Sequence, residues 1–454
     1  MRSLTVWLFF GGRTVAAMRG LLAVLVALLF LVPAYATVHA ETTPTEAAAL
    51  AAARNDHTAY TLAPDKMAKA EALTRTRHIV YWAGTVWGIL SLWLILKLRI
   101  VARMRDLAVN ISKNRWAQGY LFLFEFLVIT FLLGLPIDLY DQHVQRAYGL
   151  SVQGWGSWFG DQGKMFALVY PFGGLLMMLL FWLIRKFQRT WWIWIAGAVM
   201  GVSALIVFAA PYGAFLFNRF EPLSQSNPAL VQQLEEVVAK GKGIQIPPER
   251  MYLMKASDKV TTLNAYVSGF GASKRVVVWD TSIAKGTPDE ILFIFGHEMG
   301  HYVLGHIVSG LLFGFVDILL SFYLGFLLFQ WLLRRYGAEW RIPAQDNWGA
   351  LVVLVLVLNV IGFLSSPIEN GVSRMHEHAA DVYGMEVVHG IVKDPQATGQ
   401  AAFQVLGENS FDDPKPAPFY EFWTGSHPPI WLRAAFAKHY DPWAPGAEPK
   451  YFSR

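Results

Sequence analysis

The residues His297-Glu298-Met299-Gly300-His301 put two imidazoles four positions apart. On a helix, positions i and i+4 lie one above the other, so both rings can converge on one cation. Glu298 is offset along the same turn, where its carboxylate can take a proton from an attacking water. The chemistry this spacing serves is metal-assisted hydrolysis. A solvated helix start with two histidines would carry the same letters. Gly300 argues against that, because glycine weakens a helix by about 1 kcal/mol relative to alanine and needs a packing reason.

A catalytic zinc takes three protein ligands and leaves a fourth position for water, so a third ligand must come from elsewhere. His306, five residues past His301, is rotated off the ligand face and is the weaker candidate. The stretch Asn370 to Asp381 offers a better one. Glu377 and Asp381 sit one turn apart and face the same way. One carboxylate can ligate while the other accepts the free N–H of a ligating histidine. His376 and His378 flank Glu377 on divergent faces and have no such partner. Arg374, three residues before Glu377, could neutralise the remaining negative charge. The expectation is one zinc per chain on His297, His301 and Glu377.

These residues need elements to position them, and composition says where those elements lie. Of 454 residues, 54% are hydrophobic and only 16% charged, with 18 Trp and 31 Phe. An ordinary soluble domain is about 25% charged, so this is an integral membrane protein with polar mass attached. Zero cysteines exclude a disulfide framework, a thiolate metal site and a cysteine nucleophile. The net charge of +5 is not gathered into a nucleic-acid-binding tract. The partner that composition implies is therefore the bilayer, and no nucleic acid.

Apolar stretches near the ~20 residues needed to cross a bilayer fall at about 78–98, 119–139, 165–184, 191–212, 305–333 and 349–366. Residues 1–40 read as a signal peptide or a first transmembrane helix: Arg2, Arg13 and Arg19 precede an apolar run that closes on Ala36, Val38 and Ala40. Residues 41–77 read as a surface helix or a loose extramembrane segment. The remainder divides into a four-helix membrane region (78–212), a first soluble half with the metal helix (213–304), two spans (305–366) and a second soluble half with the third ligand (367–454). Within the first half, Ala229 to Val238 reads as an amphipathic helix, and Tyr252–Met254 as a strand beside Val276–Trp279.

Loop charge orients the spans. Lys97, Arg99, Arg103, Arg105, Lys113, Arg115, Arg185, Lys186, Arg189, Arg334, Arg335 and Arg341 lie on one alternate set of short loops; Arg146 and Lys164 lie on the other. The basic set marks the cytoplasmic side, which places both soluble stretches outside, in the periplasm of a bacterium. Glu125 and Asp317 fall inside spans, where an ionisable group is costly. A transporter would use them as ion sites. No paired broken helices suggest one, and a polar chamber lining accounts for both.

The combination of His297 to His301 with Ser373-Arg374-x-x-Glu377-x-x-Ala380-Asp381 resembles the membrane-spanning zinc endopeptidases typified by the type I CAAX prenyl protease. The bacterial heat-shock membrane metalloproteases are similar. Phe217-Asn218-x-Phe220-x-Pro222-Leu223, Asn264-Ala265-Tyr266, Lys274-Arg275-Val276-Val277-Val278 and Ser426-His427-Pro428-Pro429, followed by Arg433, extend the likeness over about residues 60 to 440. The resemblance implies a mainly α membrane protein, six to seven helices around a water-filled chamber, capped by a zinc-protease domain with a small β element. It implies His297, His301 and Glu377 as zinc ligands, Glu298 as general base and Asp381 as the carboxylate behind a ligand. Asn264 and Ala265 would hold the substrate backbone on an edge strand, and His427 would hydrogen-bond the oxyanion. The eukaryotic members face the cytosol. The charge pattern here puts the site on the other side, and a prenylated cytosolic peptide is then not the expected substrate. A transporter or scaffold retaining the protease fold is the second function class.

Overall fold

The computed structural model describes residues 42–241, 246–269 and 274–453; the expected leader, 1–40, lies outside them. Among the described residues, the helices of seven residues or more, in chain order, are α1 (Pro44–Ala53), α2 (Pro64–Lys97), α3 (Ile100–Ile111), α4 (Arg115–Ala147), α5 (Trp155–Lys186), α6 (Trp191–Phe217), α7 (Pro228–Lys240), α8 (Pro288–Val303), α9 (His306–Tyr336), α10 (Ala350–Val387), α11 (Pro395–Ser410), α12 (Pro418–Thr424) and α13 (Ile430–His439). Four short strands accompany them: β1 (Phe220–Pro222), β2 (Met251–Met254), β3 (Ala265–Ser268) and β4 (Arg275–Trp279).

Among the described residues, six helices are long and apolar enough to cross a membrane: α2, α4, α5, α6, α9 and α10. Each overlaps one expected span and runs past it, at 27 to 38 residues, where a span needs only about 20. The extra turns project the spans into the polar layers. α10 is the clearest case, because its membrane part continues unbroken through Pro367 to Glu377 and Asp381. The six spans surround the expected chamber, and the polar mass caps it at one end.

The three basic loops meet at the other end. Lys97 pairs with Glu339 at 2.5 Å, Arg115 donates to the Asp346 carbonyl at 3.2 Å, and Gln345 donates to the Gln188 carbonyl at 3.2 Å. Within the first loop, residues 100–111 fold into amphipathic α3, which buries Val101, Ala102, Met104 and Ala108. The short loop with few basic residues lies at the capped end, where Lys259 of the protease half pairs with Asp161 at 2.6 Å.

The sheet has the order β1-β2-β4-β3. β2 and β4 pair in parallel with Met251 opposite Val276 and Met254 opposite Trp279, which is the pairing the β-branched run suggested. β3 lies antiparallel on β4 and forms an edge. One hydrophobic core joins both protease halves: Leu234, Val278, Phe293 and Phe295 pack with Tyr383, Phe403 and Phe436. Each such side chain contributes roughly 1.5–3 kcal/mol by leaving water, so the halves form one unit although two spans separate them in sequence. Residues 41–77 depart from expectation. Ala49, Ala53 and Tyr60 lie in that same core, and Pro64 onward already belongs to the first span helix.

Candidate active site

The metal helix α8 begins with a capping box, Thr287 and Glu290 each bonding the other's backbone N–H. It ends at Gly305, whose φ of 70° turns the chain into α9. Between these ends it crosses α10 at very close range. A Cβ on Gly300 would stand 3.0 Å from the Tyr383 Cβ and 3.2 Å from the Ala380 Cα. One on Gly384 would stand 3.0 Å from the His297 backbone nitrogen, and one on Gly296 2.7 Å from Val387 Cγ1. Gly300 has its packing reason. Two backbones pressed together here carry the histidines of α8 to the carboxylates of α10.

The result is a compact donor group, His297, His301 and Glu377. The two Nε2 atoms are 3.2 Å apart; Glu377 Oε2 lies 3.3 Å from His297 Nε2, and Oε1 lies 3.4 Å from His301 Nε2. Two ligands about 2.0 Å from a tetrahedral ion are about 3.3 Å apart, so the spacing fits. Glu377 Oε2 is buried and accepts no hydrogen bond among the described residues. A buried carboxylate oxygen that faces a ring nitrogen and makes no hydrogen bond, with a guanidinium no nearer than 3.4 Å, is free to ligate a metal cation.

Behind the donors stands a second layer. The Nδ1 of His297 lies 2.8 Å from Asp381 Oδ1, which leaves its Nε2 lone pair directed at the donor group. Arg433 donates to both oxygens of Asp381, at 2.9 and 2.7 Å, and its guanidinium lies 3.4 Å from Glu377 Oε2. The cation beside the two carboxylates is therefore Arg433. Arg374, expected there, donates instead to the carbonyls of Glu421 and Gly425. The Gly425 carbonyl, at the C-cap of α12, continues no helix and captures the guanidinium together with the Glu421 carbonyl one turn back.

The other histidines take other partners. His301 Nδ1 lies 3.0 Å from His306 Nδ1, and His306 stacks on His376 with centroids 4.3 Å apart. His378 bonds Glu46 of α1 at 2.9 Å. Sequence reasoning missed Arg433 as a partner, Gly384, and His306 as the neighbour of His301. Only helical spacing was available to it; the Arg433 and Gly384 contacts are long-range, and the His301–His306 contact forms across the turn at Gly305, where helical spacing no longer holds.

Glu298 lies on the same turn as the ligands, and burial raises its carboxyl above the ordinary range. Burial works against charge on His297, but the neighbouring carboxylates of Asp381 and Glu377 raise its pKa to about 9. His427 Nε2 is 3.3 Å from Glu377 Oε1, with its side chain 57% exposed. It lines a cavity of about 770 Å³ that also touches Tyr81, Asp412, Tyr420 and Arg433. Asn264 directly precedes edge strand β3, and its backbone is pinned by Ser282 Oγ at 2.8 and 2.7 Å. Ala265 pairs with Val278, and the Tyr302 hydroxyl of α8 bonds the Gly269 carbonyl beyond the strand. The edge strand is thus tied to the donor helix.

Comparison with known proteins finds relatives of both the membrane part and the soluble part of the chain. Residues 224–441 match peptidase family M48, and residues 49–219 match the CAAX prenyl protease N-terminal family of five membrane helices. An uncharacterised metalloprotease of Bacillus subtilis is 30% identical over 83% of this chain and 86% of its own length. CAAX prenyl protease 1 of Saccharomyces cerevisiae is 27% identical, over 60% of this chain and 62% of its own. The crystal structure of S. mikatae Ste24p shares the fold with a TM-score of 0.72 at 19% identity, covering 86% of this chain and 95% of that one.

Proposed function

This chain belongs to peptidase family M48 and is an integral membrane metalloprotease, and we propose that His297, His301 and Glu377 hold one zinc ion with Glu298 as the proton-transferring base. The observation that carries the assignment is the 3.2–3.4 Å spacing of donors around a carboxylate oxygen with no hydrogen bond of its own. When bound, the ion supplies a Lewis acid that polarises the scissile carbonyl and makes water nucleophilic near neutral pH. Glu298 takes the proton of the attacking water and passes it to the leaving amine nitrogen. Asp381 fixes the tautomer of His297, and Arg433 balances the two carboxylates. Asn264 and Ala265 present the edge on which the substrate backbone lies as an added strand. His427, half-exposed at the mouth of the cavity, donates to the developing oxyanion.

The substrates in this reading are peptides or proteins attached to the membrane, lipidated ones included. The basic loops gathered at one end support a cytoplasmic placement for that end and a periplasmic site in a bacterial inner membrane. A transporter or scaffold is not favoured, because the base and all three metal donors are in place.

The test separates metal binding from catalysis. Glu298→Gln keeps the side-chain shape, so about one zinc per chain is expected, with peptide hydrolysis reduced by about 10²-fold or more. Glu377→Ala is expected to lose the metal. Wild-type hydrolysis in Glu298→Gln, or full zinc occupancy in Glu377→Ala, would overturn the corresponding role.

A further inference from the structure

The short helix α12 lies in the second protease half, yet its aromatic residues seat on membrane helices. Phe419 stacks on Trp82 of α2 with centroids 5.8 Å apart and planes 17° from parallel. Trp423 packs on Trp82 at 6.0 Å and on Phe363 of α10 at 5.0 Å. The backbone of α12 is held to the same span, since Asn370 donates to the Trp423 carbonyl at 2.7 Å and Arg374 to those of Glu421 and Gly425. Trp82 and Phe363 occupy one level. Trp82 is four residues inside the start of the first apolar stretch and Phe363 three residues inside the end of the last. At 1.5 Å per residue both are about 5–6 Å below the bilayer surface. Despite these contacts, Phe419 is 64% exposed and Phe422 51%.

We propose that α12 is an interfacial membrane anchor whose free edge, Phe419 and Phe422, lies in the lipid leaflet on the protease side, so that the site accepts peptides tethered to that leaflet. Lipid is the occupant because the patch is continuous with two spans at a level where the bilayer already surrounds them. Aromatic rings with an apolar body are favoured at that depth. The coupling to the site is short: the chain leaves α12 at Thr424 and reaches His427 three residues later. The inner side of α12, through Tyr420, Glu421 and Trp423, forms a wall of the cavity that His427 lines. The anchoring claim stands on these contacts alone, whereas the selection of tethered peptides rests on the protease reading.

The absence of cysteine makes a direct measurement simple. Phe419→Cys and Phe422→Cys, each carrying a nitroxide label, are reconstituted in liposomes of neutral phospholipid. Collision with oxygen is compared with collision with a water-soluble nickel chelate, and Glu236→Cys on exposed α7 serves as the aqueous reference. Oxygen dominating at 419 and 422, with the chelate dominating at 236, is the expected result. Water-like behaviour at 419 and 422 would overturn the anchor. So would exclusion of both reagents with spin–spin broadening between chains, which would mean a second copy covers the patch. Independently, Phe419→Ser/Phe422→Ser should slow cleavage of a lipid-tethered peptide several-fold and leave the same peptide free in solution unaffected. Equal loss on both peptides would overturn the selection of tethered substrates without touching the protease assignment.

Discussion

Each histidine of the donor group has one ring nitrogen turned to the cavity and one held from behind, and the two are held differently. His297 leans on Asp381, a carboxylate that is itself fixed by Arg433 at 2.7 and 2.9 Å. His301 leans on a neutral partner, His306, which rests on His376. Removing a partner of this kind generally costs about 10–100-fold in metal affinity. Asp381→Asn and His306→Ala are both expected in that range when zinc is titrated against a competing chelator. They should differ in stability. Asp381→Asn takes from the buried Arg433 guanidinium the carboxylate it bonds twice and leaves it only Glu377 at 3.4 Å, a loss of up to about 3–5 kcal/mol, whereas His306→Ala removes no charge pair. Equal unfolding midpoints for the two variants would contradict the asymmetry.

At the scale of elements, the site depends on how closely α8 and α10 approach. Alanine would favour helix at position 384 by about 1 kcal/mol, but its Cβ would stand 3.0 Å from the backbone nitrogen of His297. Overpacking of this kind costs about 1–3 kcal/mol, and a backbone atom cannot rotate away. Gly384→Ala is therefore expected to lower the unfolding midpoint and weaken zinc binding together. Gly362→Ala in the same helix, where a Cβ would meet nothing within 4 Å, should do neither. A second element contact responds to pH. Burial would raise the Glu46 carboxyl, but its bonds to His378 and Lys450 hold it below its ordinary 4.5. A depressed carboxylate pKa stabilises the fold above the unfolded value and is lost as pH falls through the folded one. Hydrogen-exchange protection factors over residues 44–53, corrected for the intrinsic rate at each pH, should therefore stay high at neutral pH and fall below pH ~4.5.

For the whole molecule the open quantity is the side of the membrane. The basic loops share one end, joined by Lys97–Glu339 and Arg115 to the Asp346 carbonyl, and the site lies at the other. Single cysteines at Lys113 and Glu236, both exposed and at opposite ends, can be labelled in intact cells with a membrane-impermeant maleimide. Labelling at 236 only is expected. Labelling at 113 only would place the protease in the cytoplasm and restore the substrate side of the eukaryotic CAAX prenyl proteases.

By itself the amino-acid sequence determined whatever depends on local periodicity. Hydropathy located the six spans because crossing a bilayer takes an uninterrupted apolar helix. The i, i+4 spacing of His297 with His301, and of Glu377 with Asp381, put each pair on one helix face. Tertiary structure alone decided which groups stand behind them. Arg374 shares a helix turn with Glu377, yet the carbonyls of α12 hold it, and the cation at the site arrives from Arg433, 52 positions beyond Asp381. The segment with α1, read as a surface helix or a loose extramembrane segment, is a helix that joins the core through Ala49 and Ala53, and its Glu46 meets His378 from 332 positions away. Contacts of that span leave no periodic trace in a single chain. They exist only once three glycines have let two helices touch.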